Sequence, residues 1–337
     1  MSQPQAWARP RERLVIHDLL RRNSTAEFAE DVRRGLSAEA KSLLPKYLYD
    51  ELGSQLFEAI CRLDEYYLTR AESEILARYA GEIVESVPGD KTLIEMGSGS
   101  ASKTREIIEA LLSRQRELLF IPVDISATVL ENSSRALLRS YPGLRIEGYA
   151  ADYFDGLSAL RLVGRGRTLA LFLGSNIGNF EKTEALVFLH AIRAVLREGD
   201  ALLLGADLKK DAPTLEAAYN DALGVTQAFI RNALARINRE LGGKFELRQF
   251  KLRSNYNREA GRVQVYLESR CEQTVRIANL NMTIKLRAGE RIQVENSYKY
   301  DLDQLSELAE ASGFQRARTW FDSRGFFSSS LFLAVQE

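Results

Sequence analysis

Five short, almost continuously apolar runs mark the middle of the chain: Thr92–Met96, Leu119–Asp124, Leu144–Ala150, Thr168–Gly174 and Ala201–Gly205. Stretches with helical spacing, 103–112, 127–140 and 181–196, lie between them. A strand that is apolar on both faces needs cover on both faces, and parallel neighbours need long crossover connections. The pattern predicts an α/β fold with a doubly wound, mostly parallel sheet.

The pattern changes after Asp207. A helical stretch over about 213–241 precedes alternating strands at Phe250–Asn255, Arg262–Glu268, Thr274–Ala278, Met282–Leu286 and Arg291–Glu295, which predicts a separate antiparallel layer. The end of the chain predicts a helix from Leu302. After it come strands Arg316–Trp320 and Phe326–Val335 around the turn Asp322-Ser323-Arg324-Gly325, a hairpin that would extend the first sheet. Residues 1–45 read as a polar lead and a short helix near Thr25–Gly35, capped by Ser24 or Thr25. Thr69 and Glu72 have the spacing of a capping box. The expected division is 70–209 plus 298–337 for the sheet domain and 1–69 plus 210–297 for a second α+β domain.

Three successive strand ends carry chemistry. The first runs into Gly97-Ser98-Gly99-Ser100, where missing side chains let backbone N–H groups approach a ligand. The second ends in Asp124, placed to accept both hydroxyls of a ribose. The third ends in Asp152-Tyr153, an acceptor for an adenine amino group beside an aromatic ring. Together they point to an adenosine-bearing cofactor at the carboxyl edge of the sheet. No phosphate-binding Gly-x-x-x-x-Gly-Lys loop follows a strand, and Ser102 stands where a dinucleotide fingerprint needs glycine. Glu95-x-Gly97-Ser98-Gly99-Ser100-Ala101 resembles the first motif of class I methyltransferases, which bind S-adenosylmethionine.

Composition narrows the alternatives. Forty-six basic residues balance 46 acidic ones, so no bulk charge favours a nucleic-acid partner. Two cysteines, Cys61 and Cys271, and two histidines, His17 and His190, make a metal centre unexpected. The N-terminal segment reads as neither a signal peptide nor an anchor, and no apolar run approaches membrane-spanning length. The expectation is a cytoplasmic monomer acting on a small molecule, with no membrane or nucleic-acid partner.

A longer resemblance is carried by Leu44-Pro45-Lys46-Tyr47-Leu48-Tyr49-Asp50-Glu51-Leu52-Gly53, Leu63-Asp64-Glu65-Tyr66-Tyr67-Leu68-Thr69-Arg70, Pro122-Val123-Asp124-Ile125-Ser126 and Leu173-Gly174-Ser175-Asn176-Ile177-Gly178-Asn179-Phe180. It continues through Ala218-Tyr219-Asn220-Asp221 and Glu295-Asn296-Ser297-Tyr298-Lys299-Tyr300. Over about residues 40–337 the chain resembles the histidine-specific methyltransferases of ergothioneine biosynthesis. The resemblance implies three methyl transfers to the α-amine of L-histidine, giving the trimethylated betaine, with the second domain as a substrate lid. It implies a cofactor site of Gly97, Lys103, Asp124, Asp152 and Tyr153, with Lys103 pairing with the cofactor carboxylate and Gly174 at the junction with substrate. It places Tyr66, Asn179 and Tyr219 at the amino and carboxylate ends of the substrate, and Tyr49, Phe57, Glu295 and Ser297 around its ring. Asn176 stands near the substrate where the family pattern has threonine, and Val265 faces the pocket where it has methionine. The alternative is an N-methyltransferase for another aromatic amino acid or amine, such as one derived from tryptophan; Glu295 favours an imidazole. No histidine or cysteine lies in the matched set, so no general base is assigned. Tyr66 and Asn179, with Gly174 nearby, would orient the amine for in-line displacement.

Overall fold

The computed structural model describes residues 12–20, 24–160 and 166–336. The first eleven residues, on which part of the leader reading falls, lie outside them. Eight strands form one sheet, in the order β1 (Leu14–Asp18), β4 (Leu144–Ala150), β3 (Leu118–Asp124), β2 (Lys91–Met96), β5 (Arg167–Phe172), β6 (Ala201–Asp207), β13 (Phe327–Ala334) and β12 (Phe314–Phe321). The pairs from β1 to β6 are all parallel, and β13 runs antiparallel to both neighbours. The expected doubly wound sheet and its C-terminal hairpin are both present.

Side chains alternate across the central strands. Leu93, Leu169, Leu171 and Leu203 share one core with α3 (Tyr67–Glu85) and α4 (Thr104–Leu112). Ile94, Ala170, Phe172, Leu202 and Leu204 share the other with α7 (Lys182–Val195) and α10 (Leu302–Ala311). The strand order reverses between β2 and β5, so the crevice at this switch point opens beyond the carboxyl ends of the strands.

The second part of the chain comprises α1 (Ser24–Ser37), α2 (Glu51–Ile60), α8 (Ala212–Ala218), α9 (Val225–Leu241) and two small antiparallel sheets. One has the order β11 (Arg291–Tyr298), β8 (Arg262–Ser269), β7 (Phe250–Asn257); the other is the hairpin β9 (Gln273–Ile277), β10 (Met282–Leu286). The expected single layer is thus two. The N-terminal segment joins this part through hydrogen bonds from Leu43 N to Gln293 O and from Arg33 to Leu280 O.

Three further expectations are corrected. Leu14–Asp18 is a strand of the large sheet, parallel to β4, so this part of 1–69 pairs with the sheet of 70–209; five residues with one polar flank gave no strand signal. The stretch 213–241 is two helices. Asp221 accepts from Val225 N and Thr226 N at 2.9 and 2.7 Å, and Gly224 takes φ 77°, so a new helix starts and Tyr219 is left in the break. Thr69 and Glu72 form no capping box: α3 begins at Tyr67, with Tyr66 at its N-cap. The helix expected to be capped by Ser24 or Thr25 is α1, and the residue preceding it lies outside the described residues.

Candidate active site

Gly97, Asp124, Asp152, Gly174 and Asp207 sit at the carboxyl ends of β2, β3, β4, β5 and β6, side by side along the crevice. Gly97 takes φ 71°, and a Cβ there would lie 2.9 Å from the Tyr153 hydroxyl and 3.2 Å from Asn176 Nδ2. A side chain is therefore excluded by both conformation and space. A Cβ on Gly99 would meet nothing within 4 Å; the loop is open on that side. Asp124 accepts from Gly99 N at 2.7 Å and Ser126 N at 2.8 Å. Burial nevertheless holds its carboxyl above the usual range. Tyr153 is packed among Phe172, Phe180 and Phe188. Asp152 caps α6 (Tyr153–Ala159) by accepting from Asp155 N at 2.9 Å. An open cleft of about 540 Å³ next to these groups is lined in part by Tyr49, Asp50, Ile125, Ser126 and Asp152.

Lys103 precedes α4 and pairs with Glu72. Burial lowers the affinity of its ammonium for the proton, but the Glu72 carboxylate outweighs burial and holds Lys103 above its ordinary value. Glu72 is fully buried and also accepts from Gly174 N at 2.8 and 2.9 Å. Its carboxylate therefore ties the helix after the glycine loop to the turn after β5. Sequence reasoning assigned Glu72 only to a cap. The available signal was Gly205, a glycine inside a fully buried strand, which marks a close approach; a Cβ there would lie 2.0 Å from Glu72 Oε1. Glu95 is buried too. Its carboxyl accepts from Thr104 Oγ1 at 2.7 Å, while Oε2 has no partner among the described residues, and burial pushes the group up to about 8.

The residues expected around the substrate form an aromatic box. Tyr49 meets Phe57 and Phe229 edge-on at 5.5 and 5.3 Å, Phe57 meets Tyr66 at 6.1 Å, and Tyr66 meets Tyr219 at 6.3 Å. Phe229 was not anticipated, because its helix was read as continuous with α8. Burial raises Tyr49 and Tyr66 far above the ordinary phenol range, with the Glu295 carboxylate adding to both. Asn176 and Asn179 bound one short 3₁₀ turn, entered through Gly174 at φ 76° and Ser175 at φ 59°. The strained Ser175 is held by its Oγ, which accepts from Asp207 N at 3.0 Å.

Glu295 and Ser297 do share a face, for a reason sequence alternation conceals. Ile292 and Val294 continue an apolar alternation that would turn Glu295 and Ser297 outward. A β-bulge between Gln293 and Glu295 shifts the register, so Ile292 opposes Leu267 but Glu295 opposes Val265 and Ser297 opposes Val263. All three partners are buried. The extra residue re-aims the carboxylate. Glu295 accepts no hydrogen bond from the described residues, and burial pushes it up to about 7 against the pull of Lys299. Ser297 contacts the Tyr219 hydroxyl at 2.7 Å and accepts from Lys299 Nζ at 2.9 Å. Among the described residues no three His, Cys, Asp or Glu side chains are grouped to hold a metal ion, and no helix is long and apolar enough to cross a membrane.

This geometry coincides with a family assignment. Residues 28–334 match the model described as histidine-specific methyltransferase, SAM-dependent. The chain is 42% identical to the histidine N-alpha-methyltransferase of Mycolicibacterium smegmatis over 94% of its own length and 98% of the relative's. Against the protein of the same name from Mycobacterium tuberculosis the identity is 41%, over 89% and 93%. Ergothioneine biosynthesis protein 1 of Neurospora crassa is 33% identical over 91% of this chain and 36% of the longer relative. A glycine loop and acids at successive strand ends, an aromatic box and a family match over nearly the whole chain converge: the protein belongs to the S-adenosylmethionine-dependent histidine-specific methyltransferases.

Proposed function

We propose that this enzyme transfers three methyl groups in succession to the α-amine of L-histidine, and that the residues gathered above divide the work. The observation that carries the reading is Glu295, an acceptor without a protein partner set among apolar and aromatic walls. A half-buried carboxylate without a partner gives up part of its hydration, and an imidazole N–H supplies what it lacks.

S-adenosylmethionine supplies an activated sulfonium methyl, so no covalent intermediate on the protein is required. The residues fit that cofactor: the open side of Gly99 admits a ligand against the backbone, the half-buried Asp124 suits two hydroxyl donors, and Glu95 Oε2 has no partner among the described residues. Asp152 keeps one carboxylate oxygen beyond its cap, and Tyr153 covers the glycine loop. Lys103 faces the cofactor's carboxylate while anchored by Glu72.

Tyr66 and Asn179 orient the amine, with Gly174 beside them, and Tyr219 grips the carboxylate. Asn176 closes the amine side. Tyr49 and Phe57, edge-to-face with one another, wall one side of the ring, Ser297 lies against one ring nitrogen, Glu295 accepts from the other, and Val265 forms the floor. The amine loses its proton to water, because every phenol in the box is held protonated by burial. Catalysis then rests on holding amine and methyl in line, an effect worth roughly 7–11 kcal/mol. Anchoring both ends of the substrate lets the amine rotate between transfers. The chain is proposed to act in the cytoplasm, as a monomer, on this small molecule alone. The test is incubation with S-adenosylmethionine and a panel of amino acids, read by mass. Histidine is expected to gain methyl groups; turnover of tryptophan with histidine inert would overturn the substrate assignment.

A further inference from the structure

Behind the aromatic box lies a fully buried charge cluster that the steps above do not use. Lys299 is 1% exposed and Asp207 is 0% exposed. Lys299 Nζ is 2.8 Å from Asp207 Oδ2, and 2.9 Å from both the Tyr219 hydroxyl and Ser297 Oγ. Asp207 is shared further: Tyr67 donates to it at 2.8 Å and Lys210 at 2.6 Å. One carboxylate thus faces two ammonium groups, and one of these abuts two hydroxyls that line the pocket.

We propose that Lys299, anchored by Asp207, is a positioning residue that makes the Tyr219 hydroxyl the donor for the substrate's α-carboxylate. The argument is a count of hydrogens. An ammonium has three, and no lone pair. They go to Asp207, Tyr219 and Ser297, so both hydroxyl oxygens are acceptors toward the lysine and keep their own hydrogens. The 2.7 Å contact between Tyr219 and Ser297 uses one of those two hydrogens. One remains to leave the pair. An ammonium behind both oxygens makes that hydrogen a stronger donor, and an anion is its best acceptor. With the carboxylate at Tyr219, Ser297 gives its hydrogen to Tyr219 and keeps a lone pair toward the ring; with Glu295 accepting at the other ring nitrogen, both nitrogens carry hydrogen and the ring is held as imidazolium. The position follows from the strand: past the bulge, Glu295, Ser297 and Lys299 alternate onto one side of the chain. Only Lys299 lies deep enough to reach Asp207 at the end of β6.

The inference rests on histidine being the substrate. Its test compares histidine with histamine, which has the ring and amine but no carboxylate. Calorimetric affinities of wild type, Lys299→Met and Lys299→Gln are measured for both ligands, with S-adenosylmethionine affinity as a check on the fold. Lys299→Met is expected to weaken histidine roughly tenfold or more, the worth of a hydrogen bond to a charged group, and to leave histamine within about twofold. The histidine-to-histamine preference therefore collapses; Lys299→Gln, which can still donate, retains part of it. Equal loss for both ligands, or an unchanged preference in a folded variant, overturns the proposal. If neither lysine variant folds, Tyr219→Phe decides: a preference that survives it shows that no carboxylate is held there. Wild type that fails to bind histidine at all would instead overturn the substrate assignment.

Discussion

At the residue scale, two carboxylates separate cofactor from substrate. Asp124 is already held by two backbone N–H groups, which aim it without neutralising it. Asp124→Ala is expected to keep the fold but to weaken S-adenosylmethionine binding, since hydrogen bonds to a charged group are worth roughly 1.5–3 kcal/mol each; calorimetry showing unchanged affinity would remove Asp124 from the site. Glu295 makes a prediction in pH. Burial raises it from 4.5 to about 7. The stability contributed by an acid raised in this way is full below its ordinary value and is lost as pH rises through the folded one. A neutral amide carries no such penalty. The melting temperature of Glu295→Gln relative to wild type is therefore expected to climb between pH 4.5 and about 7 and to level off above. A difference that stays flat across that window would show that Glu295 is solvated and not aimed into the box.

At the scale of elements, the site depends on two local departures from regular structure. The bulge in β11 turns Glu295 and Ser297 inward. Val294 is the extra residue, so deleting it is expected to restore plain alternation with Glu295 still opposite Val265 and Ser297 still opposite Val263. Histidine and S-adenosylmethionine affinities should both stay near wild type; selective loss of histidine binding in a folded variant would contradict the register argument. The second departure is the contact between Glu72 and Gly205. Gly205→Ala puts a methyl group 2.0 Å from Glu72 Oε1 in the centre of the sheet. It is expected to destabilise the protein by roughly 1–3 kcal/mol, read by denaturant unfolding, and to disturb the Gly174 turn. A neutral effect would mean that Glu72 moves aside easily and does not fix that turn.

On the scale of the whole molecule, the centre of the large sheet was legible in the sequence because its five inner strands are apolar on both faces and lead into glycine or aspartate. The rest of the chain was less legible, for identifiable reasons. Leu14–Asp18 is too short and half-polar to announce a strand, and Asp221 and Gly224 break a helix whose apolar spacing continues across the break. The pocket residues Tyr49, Tyr66, Tyr219 and Glu295 were found by family resemblance and are brought together by the fold. Phe229, Glu72, Asp207 and Lys299 were missed because their importance lies in contacts between residues distant in the chain. The central claim, that this assembly trimethylates the α-amine of histidine, is tested most directly by the product's proton NMR spectrum. Histidine with excess S-adenosylmethionine is predicted to give one trimethylammonium resonance with the imidazole signals of an unsubstituted ring. A product methylated on the ring, or one that stops at a single N-methyl group, would contradict the account.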